Sequence, residues 1–370
     1  MTRPLRWVLG VDSGGSGLRI ALGAVRDGDG GGERPGGLRG GPPAPGGGVR
    51  TVAVHETGEP LPTGPGGIDA GRLLERLVPT ARRLLAEAGA AETGAAGDAR
   101  PVPGPASATE AADGGPVAVA VGAAGMAGLG DRLRAELPGA LREALGVRRL
   151  ALASDAVTAY AGALGRAPGT VVAAGTGLVA LGTDLERWRR ADGWGHLLGD
   201  CGSGAWIGRA GLEAALRAHD GRRGGSTALL ARAEAVFGPV GGLPGRLYPR
   251  PDRAAVLASF APHVARCAAE TGDAVATGVM ALAARHVAEA AAAVHPRGGG
   301  GAVALTGGLF RVGDPLLVPL RAELARHLPG ARPVTAAGDP LSGALALAGW
   351  LADGPLPLPR EPGLLDTYSE

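Results

Sequence analysis

Aromatic side chains are scarce: 3% of the 370 residues are Phe, Trp or Tyr, so packing falls to Ala, Val and Leu. Cysteine is scarcer still. Cys201 and Cys267 cannot build a disulfide framework or a four-thiolate metal site, and both are expected as reduced thiols. No stretch reaches the roughly 18 apolar residues of a membrane helix. The apolar run within MTRPLRWVLGVD is too short for a secretory leader, so a cytoplasmic location is expected. An excess of either charge is also missing, with 37 Lys plus Arg against 35 acids. Basic clusters such as Arg187-Trp188-Arg189-Arg190 are short and have acids nearby, which excludes a nucleic-acid footprint along one face.

Glycine is what the chain has most conspicuously, at 68 residues. Half of residues 27–48 are glycine, with almost nothing to bury, and 91–116 is a second permissive stretch. At 370 residues the chain is too long for one core, and two α/β domains are expected. The first covers 1–165 with the two Gly/Pro-rich insertions, and the second covers 166–340. Residues 341–370 are expected as a helix packing back near the domain junction.

The apolar runs WVLGVD and RIALGAV flank SGGSG as a hairpin, and VRTVAVHETG adds a third strand. IDAGRLLERLVPTARRLLAEAGA has the Leu spacing of an amphipathic helix that Pro79 must start, bend or interrupt. PVAVAVGAAGM and RRLALASDA read as buried strands. GTVVAAGTGLVALGTD then repeats the opening plan of apolar run, small turn and apolar run. GAVALTGGLF is a further strand ending in a Gly pair, and a helix begins near Gly204.

These turns suit phosphate, because glycine permits both the turn and a close backbone approach. Gly14 and Gly15 open the first loop, and Ser16 offers it a hydroxyl. Asp12, at the strand end, could hold Mg²⁺ through its water shell. The loop is not a P-loop, since no GK[ST] follows and the next element is a strand. Gly175-Thr176-Gly177 repeats the chemistry, and Thr306-Gly307-Gly308 ends another strand. Asp155 closes an apolar strand, where it reads equally as a proton acceptor for a hydroxyl nucleophile and as a helix N-cap.

DSGGSG, SDAVTAYAGAL, VVAAGTG, GWGHLLGDCGSGAWIG and LTGGLF occur in the order and spacing of N-acetylglucosamine kinases. By these motifs the chain resembles that group, in the BadF/BadG/BcrA/BcrD ATPase branch of the acetate and sugar kinase/Hsc70/actin superfamily. The resemblance implies two ribonuclease H-like domains around an interdomain cleft that holds ATP with Mg²⁺. It assigns Gly14, Gly15, Ser16, Gly175, Thr176 and Gly177 to the phosphates and Gly307 and Gly308 to the adenosine side. Asp155 looks like the family's catalytic base, while Gly193, Trp194, Gly195 and Asp200 look like its sugar-binding set. The implied reaction is phosphorylation of the 6-hydroxyl of an amino sugar, N-acetylglucosamine first. Glucosamine, N-acetylmuramic acid, another hexose or a cyclitol stand behind it, as does a non-catalytic sugar-sensing relative. A small-molecule sugar is the only partner implied; neither nucleic acid nor membrane is, and a homodimer stays open.

Two positions depart from the family pattern. Leu178 follows Gly177 where the family has a hydroxyl, and Ala44 stands where an Asn would meet the sugar. His196 and Trp206 read as structural side chains, and Cys201 as a small buried residue. The dehydratase activators of the same branch bridge an iron–sulfur cluster with two cysteines per subunit. Cys201 and Cys267 lack the Gly-rich context that task requires.

Overall fold

The computed structural model describes residues 5–14, 17–25, 48–59, 61, 63–64, 67–94, 115–126, 130–297 and 301–369. Gly15, Ser16 and Ala44 lie outside these residues, as does most of the two Gly/Pro-rich stretches. The chain forms two compact units. Unit 1 comprises Met1–Ala167, Leu185–Arg187 and Ala336–Glu370, and unit 2 comprises Pro168–Asp184 and Trp188–Thr335.

Unit 1 opens with the meander β1 (Arg6–Gly14), β2 (Gly17–Val25) and β3 (Val49–Thr57), antiparallel throughout. A minor ribbon, β4 (Thr63–Gly64) and β5 (Gly67–Ile68), precedes helix α1 (Ala70–Gly94). Strands β6 (Ala118–Ala123) and β7 (Arg149–Ser154) run parallel to β1, giving the order β7-β6-β1-β2-β3. Continuous burial of β6 follows from helices on both faces of the sheet.

One face carries α1 and α2 (Asp131–Leu145), whose Leu133, Leu137, Leu141 and Leu145 form a single buried stripe. Each such leucine stabilises by about 1.5–3 kcal/mol on burial. Helix α1 is continuous through Pro79. Its ring is on the exposed side, where the Glu75 carbonyl that loses its partner can turn to water.

The other face holds α3 (Asp155–Leu164) and, nearly 180 residues later, α11 (Pro340–Asp353). These contacts depend on missing side chains. A Cβ on Gly10 of β1 would stand 2.5 Å from the Leu345 nitrogen. One on Gly343 would collide with the Thr158 carbonyl and the Gly162 amide. A strand that the sequence pattern does not announce, β13 (Leu365–Ser369), then pairs antiparallel with β7 and completes the six-stranded sheet.

Unit 2 repeats the plan. β8 (Gly169–Ala174), β9 (Leu178–Thr183) and β10 (Trp188–Asp192) form an antiparallel meander. β11 (Ala302–Thr306) and β12 (Arg332–Thr335) add to β8 in parallel. Between β10 and β11 lie helices α4 (Gly204–His219), α5 (Thr227–Phe237), α6 (Leu243–Leu247), α7 (Arg253–Ser259), α8 (Ala261–Glu270) and α9 (Ala274–Val294). Helix α10 (Asp314–His327) connects β11 to β12. The buried face of α9 is mostly alanine, with Met280, Val287 and Val294 between, so helices approach closely without aromatic bulk. Two mixed α/β units of ribonuclease H-like plan are therefore observed, with divisions at 167/168 and 335/336, and α11 builds part of unit 1.

Replacing Gly343 by Val should destabilise unit 1 by about 3 kcal/mol or more, because the obstacles are backbone atoms. Gly278, exposed within α9 with open space at its Cβ, should tolerate Ala and gain about 0.4–1 kcal/mol. Urea unfolding midpoints of the two variants should move in opposite directions.

Candidate functional site

In unit 1 the parallel strands β1, β6 and β7 end along one edge of the sheet. Ser13, Ala123 and Ser154 lie in one row across them, which separates the β1 and β7 ends by about 10 Å. Asp12 and Gly14 flank that row on β1, and Asp155 follows it as the first residue of α3. The N-cap of α3 is Ser154, whose Oγ accepts the Val157 N–H. Asp155 is therefore not the cap. Its Oδ1 accepts the adjacent Ala156 N–H, which leaves it half-buried at the helix N-terminus, where the dipole favours a negative charge.

Asp12 is buried and has a partner that no sequence motif signals. Arg19, opposite it on β2, donates Nε and Nη2 to Asp12 Oδ2 at 3.1 and 2.6 Å. Its Nη1 reaches Asp339 Oδ2 at 2.6 Å, at the N-cap of α11. Burial pushes the Asp12 carboxyl up, and Arg19 only partly offsets this. Burial also works against the Asp339 carboxylate, but Ser342 and Arg19 together hold it below the usual range.

In unit 2 the β8–β9 turn is Gly175-Thr176-Gly177. The Gly175 N–H donates to the Gly177 carbonyl, while Gly204 and Ala205 at the start of α4 donate to the Gly175 and Thr176 carbonyls. Among the described residues, the Thr176 and Gly177 N–H groups meet no acceptor. Gly307 follows β11, the neighbouring parallel strand. At φ 105° it packs its Cα side onto the Ala174 backbone, where no other residue would fit. The structure thus brings Gly175–Gly177 and Gly307–Gly308 together beyond the carboxyl ends of β8 and β11, where open α/β sheets bind ligands. Leu178 points into the core at 3% exposure, so its replacement of a hydroxyl is absorbed by packing.

Gly193, Trp194, Gly195 and Asp200 lie on one loop between β10 and α4. The residue organising it, Asp192, carries no motif signature. Its Oδ1 accepts the Asp200 N–H and its Oδ2 the Cys201 N–H. Asp200 Oδ1 in turn accepts the Gly195 N–H at 3.1 Å. Asp192 and Asp200 both adopt left-handed φ, 61° and 54°, a strain that two carboxylate clamps can hold. Burial pushes the Asp200 carboxyl above the ordinary carboxylate range; the Gly195 N–H opposes this and the Asp192 charge adds to it.

Trp194 is 70% exposed, with the Arg190 guanidinium 5.2 Å from its ring, so the indole is open for stacking. Trp206 instead packs edge-on to His286. His196 Nε2 is shielded without a partner among the described residues. Burial raises the Cys201 thiol, which leaves it unsuited to be a nucleophile.

The chain contains no Lys, Asn or Gln. Polar groups for a ligand are therefore limited to the backbone, carboxylates, hydroxyls, and the Arg, His and Trp N–H groups. The unpaired amides of Thr176 and Gly177 fit a phosphate. For Mg²⁺ the fit is narrower. No group of three His, Cys, Asp or Glu gathers among the described residues. Asp12 Oδ1, unoccupied by Arg19, could hold a hydrated ion, and Mg²⁺ commonly takes only one or two carboxylates beside phosphate oxygens.

The raised Asp200 carboxyl has a consequence for stability. Below the ordinary Asp value it is neutral in folded and unfolded chains alike, and its shift costs nothing. As pH rises through the folded value, ionisation is penalised in the fold, so wild type should lose stability relative to Asp200→Asn. Urea midpoints for both proteins at about pH 4 and about pH 7 should show the gap moving in favour of the variant.

A Chromobacterium violaceum structure provisionally named an N-acetylglucosamine kinase is similar to this chain, with a TM-score of 0.58 and 26% identity over 92% of this chain and 98% of that one. One from Porphyromonas gingivalis, of the same provisional name, shares the fold at a TM-score of 0.53 and 15% identity, over 92% of this chain and 97% of its own. A Clostridium acetobutylicum N-acetylmuramic acid/N-acetylglucosamine kinase is 40% identical over 82 residues, 22% of this chain. The match spans only 26% of that relative's length. The BadF/BadG/BcrA/BcrD ATPase family model matches residues 69–348, three quarters of the sequence, and the chain belongs to that family.

Proposed function

We propose that the protein is an ATP-dependent kinase that phosphorylates the 6-hydroxyl of an amino sugar, with N-acetylglucosamine as acceptor. The observation that carries this reading is the arrangement within unit 2. A turn with unpaired amides sits against a substrate loop with an exposed Trp, and Asp200 touches both. The names of the similar proteins support the choice of sugar, and the 82-residue match also favours N-acetylmuramic acid as a second acceptor.

Phosphoryl transfer asks for positioning and charge neutralisation more than covalent catalysis. On this reading Gly193, Trp194, Gly195 and Asp200 hold the sugar, and the Thr176 and Gly177 amides receive phosphate oxygens. The first Gly loop, with Ser16, adds donors, and Gly307 and Gly308 lie along the adenosine side. Asp155 accepts the proton of the 6-hydroxyl as O6 forms its bond to the γ-phosphorus. The bond from that phosphorus to the β-bridging oxygen breaks, and ADP leaves with the electron pair. Asp12 Oδ1 would hold Mg²⁺, which when bound neutralises phosphate charge. The α3 N-terminus, with its dipole, favours negative charge at Asp155.

Asp155→Asn should lower turnover by about 10²–10⁴-fold while leaving sugar affinity within a few-fold of wild type. ADP release with Mg·ATP and a panel of amino sugars, together with calorimetric sugar titrations, checks both. Wild-type turnover in the variant would remove Asp155 from the mechanism. A panel without turnover in wild type would remove the kinase.

A further inference from the structure

On the proposed kinase reading the 175–177 turn serves the nucleotide and the 193–200 loop serves the sugar, and the coupling inferred between them rests on that reading. In unit 2 these are one mechanical piece. Asp200 presents one carboxylate oxygen to the Gly195 N–H and the other to Gly177, where an added Cβ would stand 2.5 Å from Oδ2. The segment from Asp200 to Ala205 is fastened at both ends. The Ser203 N–H donates to the Asp200 carbonyl, and the Gly204 and Ala205 N–H groups donate to the carbonyls of Gly175 and Thr176. Asp200 therefore cannot shift without disturbing either the turn or the loop.

Asp200 is held by Asp192. Both Asp192 oxygens are spent on backbone, at Asp200 and Cys201, and this fixes the left-handed conformation of Asp200. Gly199 leaves the room for it, since a Cβ there would lie 2.5 Å from Asp192 Oδ1 and 2.8 Å from Trp194 Cβ. Asp192 itself ends β10 and is anchored from outside, because Arg190 donates to the carbonyls of Asp192 and Gly193. No step of the proposed chemistry uses Asp192, yet Asp200 and Cys201 at the end of the substrate loop are held by it.

We propose that Asp192 is a positioning residue that, through Asp200, couples the sugar loop to the nucleotide turn, so that filling the turn orders the loop. Energetic coupling of this kind is reciprocal and commonly amounts to about 5–150-fold in affinity. A clamp that merely held the loop in shape would leave the loop indifferent to nucleotide. That difference gives the test.

Hydrogen exchange is measured over peptides covering 193–200, with and without Mg·AMPPNP and with no sugar present. Nucleotide alone should slow exchange there by about 5-fold or more in wild type, the lower end of typical couplings. In Asp192→Asn the amide keeps one acceptor and turns an NH₂ against the other N–H. The slowing should then fall below about 2-fold although calorimetry shows nucleotide still bound. Gly199→Ala, whose Cβ would press on Asp192 Oδ1 and Trp194 Cβ and which removes no polar group, should lose the slowing in the same way, with bound nucleotide again verified by calorimetry. Equal slowing in wild type and both variants, or none in wild type with nucleotide bound, would overturn the coupling and leave the kinase reading intact. Failure of wild type to bind Mg·AMPPNP at all would remove the kinase reading and the coupling with it.

Discussion

Carboxylates that accept backbone N–H groups, one half-buried and one buried, are the interaction on which the loop between β10 and α4 of unit 2 depends. Asp192 and Asp200 spend their oxygens on the main chain, where a charge-assisted bond is stronger than one between neutral groups. The cost is visible in the upward shift of the Asp200 carboxyl and in two non-glycine residues at positive φ. In return the loop is held by main-chain hydrogen bonds to these two carboxylates. Glycine at 193 and 199 is the complement of this arrangement, leaving space for Arg190 and for the Asp192 carboxylate, while Gly195 takes the left-handed φ of 85°.

The side-chain repertoire makes the device necessary. Without Asn or Gln, no neutral amide is available to knit a polar loop or to meet a hydroxyl. Without Lys, the cation beside the first strand is Arg19, whose planar fork grips Asp12 through two nitrogens and Asp339 through a third. A point charge on a flexible stem would not hold both carboxylates in fixed directions. Unit 1 therefore orients its strand-end carboxylate from the neighbouring strand and from a helix cap, and needs no further loop for it.

Much of the fold could be read from the sequence because buried strands in a covered sheet are continuous apolar runs. WVLGVD, AVAVGA and LALAS are such runs, and each proved a central strand. The start of α4 near Gly204 was legible from its Gly-Ser context, with Ser203 as the cap. What escaped had physical reasons. β13, LDTYS, is a short edge strand, half polar, whose partner lies more than 200 residues away. Ser154 and Asp155 are both good caps side by side, so chemistry alone could not choose between them. Asp339 meets Arg19 across 320 residues, a pairing that no local pattern carries. Asp192 precedes a glycine and resembles any turn aspartate; only its two hydrogen bonds distinguish it. Leu178, a departure when judged by motif, is an ordinary core residue once its side chain is seen.

The placement of α11 and β13 bears on how the protein comes into being. Unit 2 is a continuous stretch apart from three residues, but unit 1 is assembled from both ends of the sequence. During synthesis the first meander leaves the ribosome with Gly10 uncovered and Arg19 lacking one of its two carboxylates. It stays so until residues 339–345 have been translated. Unit 2 can fold in the meantime, while the unfinished sheet of unit 1 exposes the apolar face that α11 will cover. Unit 1 can therefore be completed only after all of unit 2 has been synthesised, although it contains the first strands made.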